Sequence, residues 1–169
     1  HASLAPSEMC IRDRPLVVVC HALTGNHLTY GTDEKHGWWR EIIDGGYIPR
    51  HDYQFLTFNV IGSPFGSSSK LNDLNFPQHL TLRDIVKAIE KGIKALGFKK
   101  VNILIGASLG GMQAMELLYN NQFQIDKAII LAATGKTSSY SRAFNEIARQ
   151  AIHLGGKEGL STCLLYTSL

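Results

Sequence analysis

A chain of 169 residues with 44% hydrophobic and 18% charged residues has the composition of one globular domain, or part of one. Its net charge of +3 comes without a long Lys/Arg run, so no electrostatic footprint for nucleic acid is present and no nucleic-acid partner is expected. Three cysteines do not make a disulfide framework, no apolar stretch nears the roughly 18 residues of a membrane span, and the N-terminus lacks the basic-then-apolar order of a signal peptide. The expected compartment is the cytoplasm, with no membrane association.

Residues 1–14 have neither helical nor alternating periodicity and are expected to be an unstructured, non-native tail. Residues 161–169 are read as a second non-native tail. Both resemble translated adaptor sequence, which makes the chain an expected excerpt of a longer protein. Between them, residues 15–160 form one expected domain with no linker and no internal repeat.

The domain begins with Leu16 to Cys20, a continuous, largely β-branched apolar run that suits a strand buried on both faces of a parallel sheet. His21-Ala22-Leu23-Thr24-Gly25 follows as a loop, and the irregular aromatic stretch from Asn26 to Arg40 is a candidate cleft lining. A second strand is expected over 54–60, followed by a Gly/Pro/Ser loop over 62–69. Thr81 and Asp84 have the spacing of a capping box, and Leu82, Ile85, Val86, Ile89, Ile93 and Leu96 recur at helical spacing up to a stop near Gly97. A strand over 101–105, a helix to about Asn120, a strand over 127–132 and an amphipathic helix around Phe144 to Ala151 complete the order. Strands alternating with helices indicate an α/β fold with a mostly parallel sheet flanked by helices.

The chemistry centres on Gly106-Ala107-Ser108-Leu109-Gly110. The pattern G-x-S-x-G between a strand and a helix reads as a nucleophile elbow. Its glycines permit the sharp turn that lifts the serine hydroxyl above the sheet, and the N–H groups opening the helix can face an oxyanion. In such a site the oxyanion donors are the backbone N–H of the residue after the nucleophile, Leu109, and of a residue in the loop after an earlier strand, Leu23. Gly135-Lys136-Thr137 has the tail of a phosphate-binding loop, but Ile130 stands where its first glycine belongs. The histidines show no metal-ligand spacing, so no metal site is expected. His21 is read as an imidazole hydrogen-bonded within the oxyanion loop in preference to a base. Thr24 and Arg149 are candidate substrate-binding residues, the alternative for Arg149 being a solvated charge on a helix.

Several segments together resemble homoserine O-acetyltransferases. They are CHALTG at 20–25, GWW at 37–39, FNVIGSPFGSSS at 58–69, FP at 76–77 with TLRD at 81–84, IGASLGGMQ at 105–113, and AFNEIARQAI at 143–152. The likeness covers essentially residues 15–160, which it implies are a partial core domain and the start of the lid. It implies a partial α/β-hydrolase fold in which Ser108 takes an acetyl group from acetyl-CoA and passes it to the hydroxyl of L-homoserine, a step toward methionine. Acetyl-CoA is then a co-substrate, no cofactor is bound permanently, and the full-length protein is a homodimer. By position Ser108 matches the family nucleophile, and Leu23 and Leu109 its oxyanion donors; Leu109 stands where the family usually has methionine. The family's triad acid and histidine lie beyond the helix at 141–153, and no residue here matches them, so the polypeptide alone is expected to be nearly inactive. A succinyl donor, a serine acceptor, a general esterase and a ligand-binding scaffold without turnover remain alternatives.

Overall fold

The computed structural model describes residues 2–3, 14–32, 35–63, 65–68, 75–77 and 79–166. It divides into two compact units, residues 1–133 and 134–169. The first unit holds a sheet of β1 (Ala2–Ser3), β2 (Leu16–Cys20), β3 (Gln54–Phe58), β4 (Lys100–Ala107) and β5 (Gln124–Leu131), in the order β1-β3-β2-β4-β5. Strands β3, β2, β4 and β5 are mutually parallel, and β1 joins β3 antiparallel. The helices of this unit are α1 (Arg40–Asp44), α2 (Leu82–Ala95) and α3 (Leu109–Asn120); α4 (Ser139–Tyr166) belongs to the second unit.

Strand β2 is buried at all five positions, as a central parallel strand requires. Its alternate side chains feed two cores, because successive residues point to opposite faces. Leu16, Val18 and Cys20 pack with Val86, Ile93 and Leu117, from the helices α2 and α3 on one face. Val17 and Val19 pack on the other face with Ile48 and Ile105, under the partly buried rings of Trp38 and Trp39. The Asn26–Arg40 stretch therefore contributes core aromatics where a cleft lining was expected: the two rings meet edge to face at 5.0 Å, and the Trp38 indole Nε1 donates to the Asn26 carbonyl at 3.0 Å.

Helix α2 starts where the sequence places it. Thr81 Oγ1 accepts from the Asp84 N–H at 3.3 Å, and the Asp84 carboxylate accepts from the Thr81 N–H at 3.0 Å. These bonds satisfy two of the donors a helix start leaves unpaired, and the Thr81 partners hold the Asp84 carboxyl below its usual range. Gly97, at φ +84°, turns the chain out of the helix.

Three expectations are revised. Ala2–Ser3 pairs with Phe58 and Thr57, so the stretch 1–14 is not wholly unstructured; residues 1 and 4–13 lie outside the described residues. Helix α4 runs through the expected boundary at 160 to Tyr166, so residues 161–166 are helical, and 167–169 lie outside the described residues. Strand β5 begins at Gln124, three residues before its apolar run, because Lys100 reaches Asp126 at 2.7 Å and Asn102 donates to the same carboxylate at 3.1 Å. Polar cross-strand pairs extend the ladder beyond the hydrophobic signal.

Candidate active site

Ser108 stands between the end of β4 and the start of α3 with φ 54° and ψ −120°, a conformation that L-residues rarely adopt. The turn is held at both ends. The Ser108 N–H donates to the Leu131 carbonyl at 3.0 Å, and the Ser108 carbonyl accepts the first helical bond, from the Met112 N–H at 3.1 Å. The side chain is exposed, and among the described residues none hydrogen-bonds its hydroxyl. The backbone thus makes the sharp strand-to-helix turn that the G-x-S-x-G spacing leads one to expect.

The glycines around it are required by space. A Cβ on Gly106 would collide with the Gly110 carbonyl oxygen, and a Cβ on Gly110 would collide with the Cys20 carbonyl oxygen. The first turn of α3 therefore lies directly on the last residue of β2, where the loop that carries Leu23 begins. Cys20 pairs with Gly106 in the sheet register, which brings the loop after β2 and the elbow after β4 to the same sheet edge. Ligands of parallel α/β sheets bind beyond the carboxyl ends of the strands, and this edge is that place.

Leu23 lies in the loop with its side chain 70% exposed, and Leu109 is the first residue of α3. Among the described residues neither backbone N–H donates to a protein group. Two unpaired donors at the mouth of the elbow are what an oxyanion site needs. The dipole of α3, with its positive end at Leu109, adds to the attraction for negative charge.

The loop is tied down from beneath. His21 is 1% exposed and uses both ring nitrogens: Nδ1 bonds the Ala22 carbonyl at 2.7 Å, and Nε2 accepts from the Val60 N–H at 3.2 Å. Accepting at Nε2 leaves the proton on Nδ1, so the ring is neutral. Burial lowers its pKa, the Ala22 bond partly opposes that, and neighbouring His27 lowers it further. His21 thus has no lone pair left for a proton from Ser108. Nearby, Asn59 accepts from the His27 N–H at 2.7 Å and donates to the Phe65 carbonyl, joining the loops that follow β2 and β3. Sequence reasoning missed this role of Asn59, which stands one residue past β3: it lies within the 58–69 segment that carries the resemblance, but nothing in that segment's composition points to a bond with His27.

The remaining candidates contribute less. Thr24 is exposed in the loop after β2. Arg149 lies on α4 in the second unit, 70% exposed, with its guanidinium 3.0 Å from Glu146 one turn earlier. That ion pair fits the solvated-charge reading. Cys20 is a buried free thiol, its pKa pushed up to about 12 by burial, and is inert at neutral pH. Among the described residues no cluster of His, Cys, Asp and Glu could hold a metal, and no helix is long and apolar enough to cross a membrane.

Comparison with known proteins gives the site its context. A homoserine O-acetyltransferase from Methanobrevibacter ruminantium is 37% identical over 149 residues, which cover 80% of this chain and 30% of that protein. The crystal structure of a homoserine o-acetyltransferase from Staphylococcus aureus superposes with a TM-score of 0.86 at 82% identity, covering 89% of this chain and 46% of that one. Esterase E22, at 21% identity and a TM-score of 0.72 over 90% of this chain and 50% of its own, shares the fold alone. The chain thus spans no more than half the length of each of these proteins. A family model described as the alpha/beta hydrolase fold matches residues 15–154, and the chain belongs to that family.

Proposed function

We propose that this chain carries the nucleophilic half of an acyltransferase that moves an acetyl group from acetyl-CoA to the hydroxyl of L-homoserine. The observation that carries the reading is the backbone of Ser108, whose positive φ is maintained at the mouth of two unpaired backbone donors. Strain held at one exposed serine is explained by chemistry at that hydroxyl. The homoserine O-acetyltransferase relatives supply the donor and acceptor.

In this reading Ser108 Oγ attacks the thioester carbonyl. Its proton passes through a general base to the departing CoA thiolate, and the Leu23 and Leu109 N–H groups hold the oxyanion of the tetrahedral intermediate. The C–S bond breaks and an acetyl ester of Ser108 remains. The homoserine hydroxyl then attacks that ester, its proton passes through the base to the departing Ser108 Oγ, and O-acetylhomoserine leaves with both the serine and the base regenerated. His21 cannot be the base, because both its nitrogens are engaged. The base and its orienting acid are expected in the part of the relatives that this chain does not span. The full-length protein is proposed to be a cytoplasmic homodimer acting in methionine biosynthesis, without a permanently bound cofactor.

The test is a chimera in which residues 15–154 replace the matching segment of the Staphylococcus aureus enzyme. Release of CoA from acetyl-CoA that depends on L-homoserine supports the proposal. Hydrolysis of simple esters without any homoserine-dependent CoA release favours an esterase and contradicts it.

A further inference from the structure

We propose that His21 is a positioning residue of the oxyanion site: by holding the Ala22 carbonyl it aims the Leu23 N–H at the reacting carbonyl oxygen. The inference rests on the acyl-transfer reading above. The Ala22 C=O and the Leu23 N–H belong to one planar trans peptide, so they point in opposite directions and turn together. The carbonyl accepts from His21 Nδ1 at 2.7 Å and from the Gly25 N–H at 3.0 Å. With its oxygen end fixed twice, the peptide has its N–H end fixed as well, and that N–H has no partner among the described residues. The second donor is arranged the same way. The Leu109 N–H shares its peptide with the Ser108 carbonyl, which accepts from the Met112 N–H at 3.1 Å.

The two donors lie on different elements, so their separation depends on what joins the loop to α3. Two contacts do so. Gly110 lies against the carbonyl oxygens of Cys20 and His21, and Gln113 Nε2 approaches the His21 carbonyl at 3.5 Å. Gln113 is 1% exposed and its Oε1 has no hydrogen-bond partner. An unpaired buried amide oxygen is unfavourable, and a methionine would fill the same volume without it. The amide is accounted for by the contact of its Nε2 with the loop. Gln113 is thus a second positioning residue, acting through His21.

The experiment uses the chimera described above and separates the two bonds of the imidazole. His21→Asn keeps a donor at the position of Nδ1, His21→Gln keeps an acceptor near the position of Nε2, and His21→Phe keeps neither. Because losing one oxyanion donor costs about 10²- to 10³-fold, His21→Phe and His21→Gln are expected to lower kcat by about 10²-fold. KM for homoserine stays within about twofold in both, and His21→Asn restores kcat to within about tenfold of the parent. Gln113→Met is expected to lower kcat by about tenfold while leaving Tm unchanged or higher, a split that a purely structural role does not produce. Equal losses in His21→Asn and His21→Gln, or an undiminished kcat in His21→Gln, overturn the proposal. If His21→Phe does not fold, the Asn and Gln pair still decides. If the parent chimera transfers no acetyl group, the acyl-transfer reading fails by itself. In that case the imidazole ¹⁵N spectrum of this chain remains as an independent readout: an Nδ1–H tautomer at His21 supports the clamp, and an Nε2–H tautomer overturns it.

Discussion

At the scale of single residues, the structure holds two groups in states they would not choose alone. Ser108 sits at φ 54°, a strain of about 1–3 kcal/mol for a residue with a side chain. Ser108→Gly removes that strain but adds about 0.5–1 kcal/mol of backbone entropy. The variant chimera is therefore expected to be more stable by about 1 kcal/mol in urea denaturation while losing acyl transfer, and a destabilised variant would contradict this. His21 is held neutral, its pKa pushed below the ordinary 6.5 mainly by burial. A depressed folded-state value means that the stabilisation is complete above 6.5 and is lost as the pH falls from there through the lower folded-state value. Stability measured from neutral to mildly acidic pH should fall more steeply for the chimera than for its His21→Phe variant. Parallel curves would show that His21 does not titrate as a buried group. The sharp turn at Ser108 and the glycines flanking it were legible in the sequence because a G-x-S-x-G turn constrains residue type at those places. The linkage of Asn59 to His27 and Phe65, and that of Gln113 to His21, were not, because single polar residues acting on backbone atoms leave no periodic trace.

At the scale of elements, the active site depends on how closely α3 approaches β2. Alanine at Gly110 would gain about 1 kcal/mol in helix propensity. It would also drive a Cβ into the Cys20 carbonyl oxygen, an overpacking that costs about 1–3 kcal/mol or more. The clash wins because the atom it meets is backbone, which cannot rotate away. Gly110→Ala in the chimera is expected to lose about 2 kcal/mol of stability and most of its activity. Unchanged denaturation midpoints would show that α3 can retreat from the strand. Elements built from apolar runs, such as β2 and α2, were read with correct or nearly correct bounds. Those fixed by other forces were not. The early start of β5 rests on Lys100, Asn102 and Asp126, and α1 is a five-residue helix whose N-cap Trp39 makes no side-chain capping bond. Neither feature has a hydrophobic period to read.

At the scale of the whole molecule, the described surface is incompletely covered. Strand β5 is an edge strand among the described residues, and Ile129 and Leu131 on it are 40% and 45% exposed. Phe144, Ile147 and Leu154 on α4 are exposed by more than half. Apolar strand edges and helix faces of this kind associate with others like them. The 169-residue chain is expected to elute from a sizing column at an apparent mass that rises with concentration, and Ile129→Lys is expected to weaken that rise. A monomer at every concentration would contradict the expectation. The same chain spans 30% of the Methanobrevibacter ruminantium relative and 46% of the Staphylococcus aureus structure, and the base of the proposed reaction is expected in the part that it does not span. The central claim is that Ser108 becomes acylated, and peptide mass spectrometry of the chimera after mixing with acetyl-CoA tests it most directly. The account predicts an acetyl group on the peptide containing Ser108 that disappears when L-homoserine is added; an unmodified Ser108, or an acetyl group that homoserine does not remove, would contradict it.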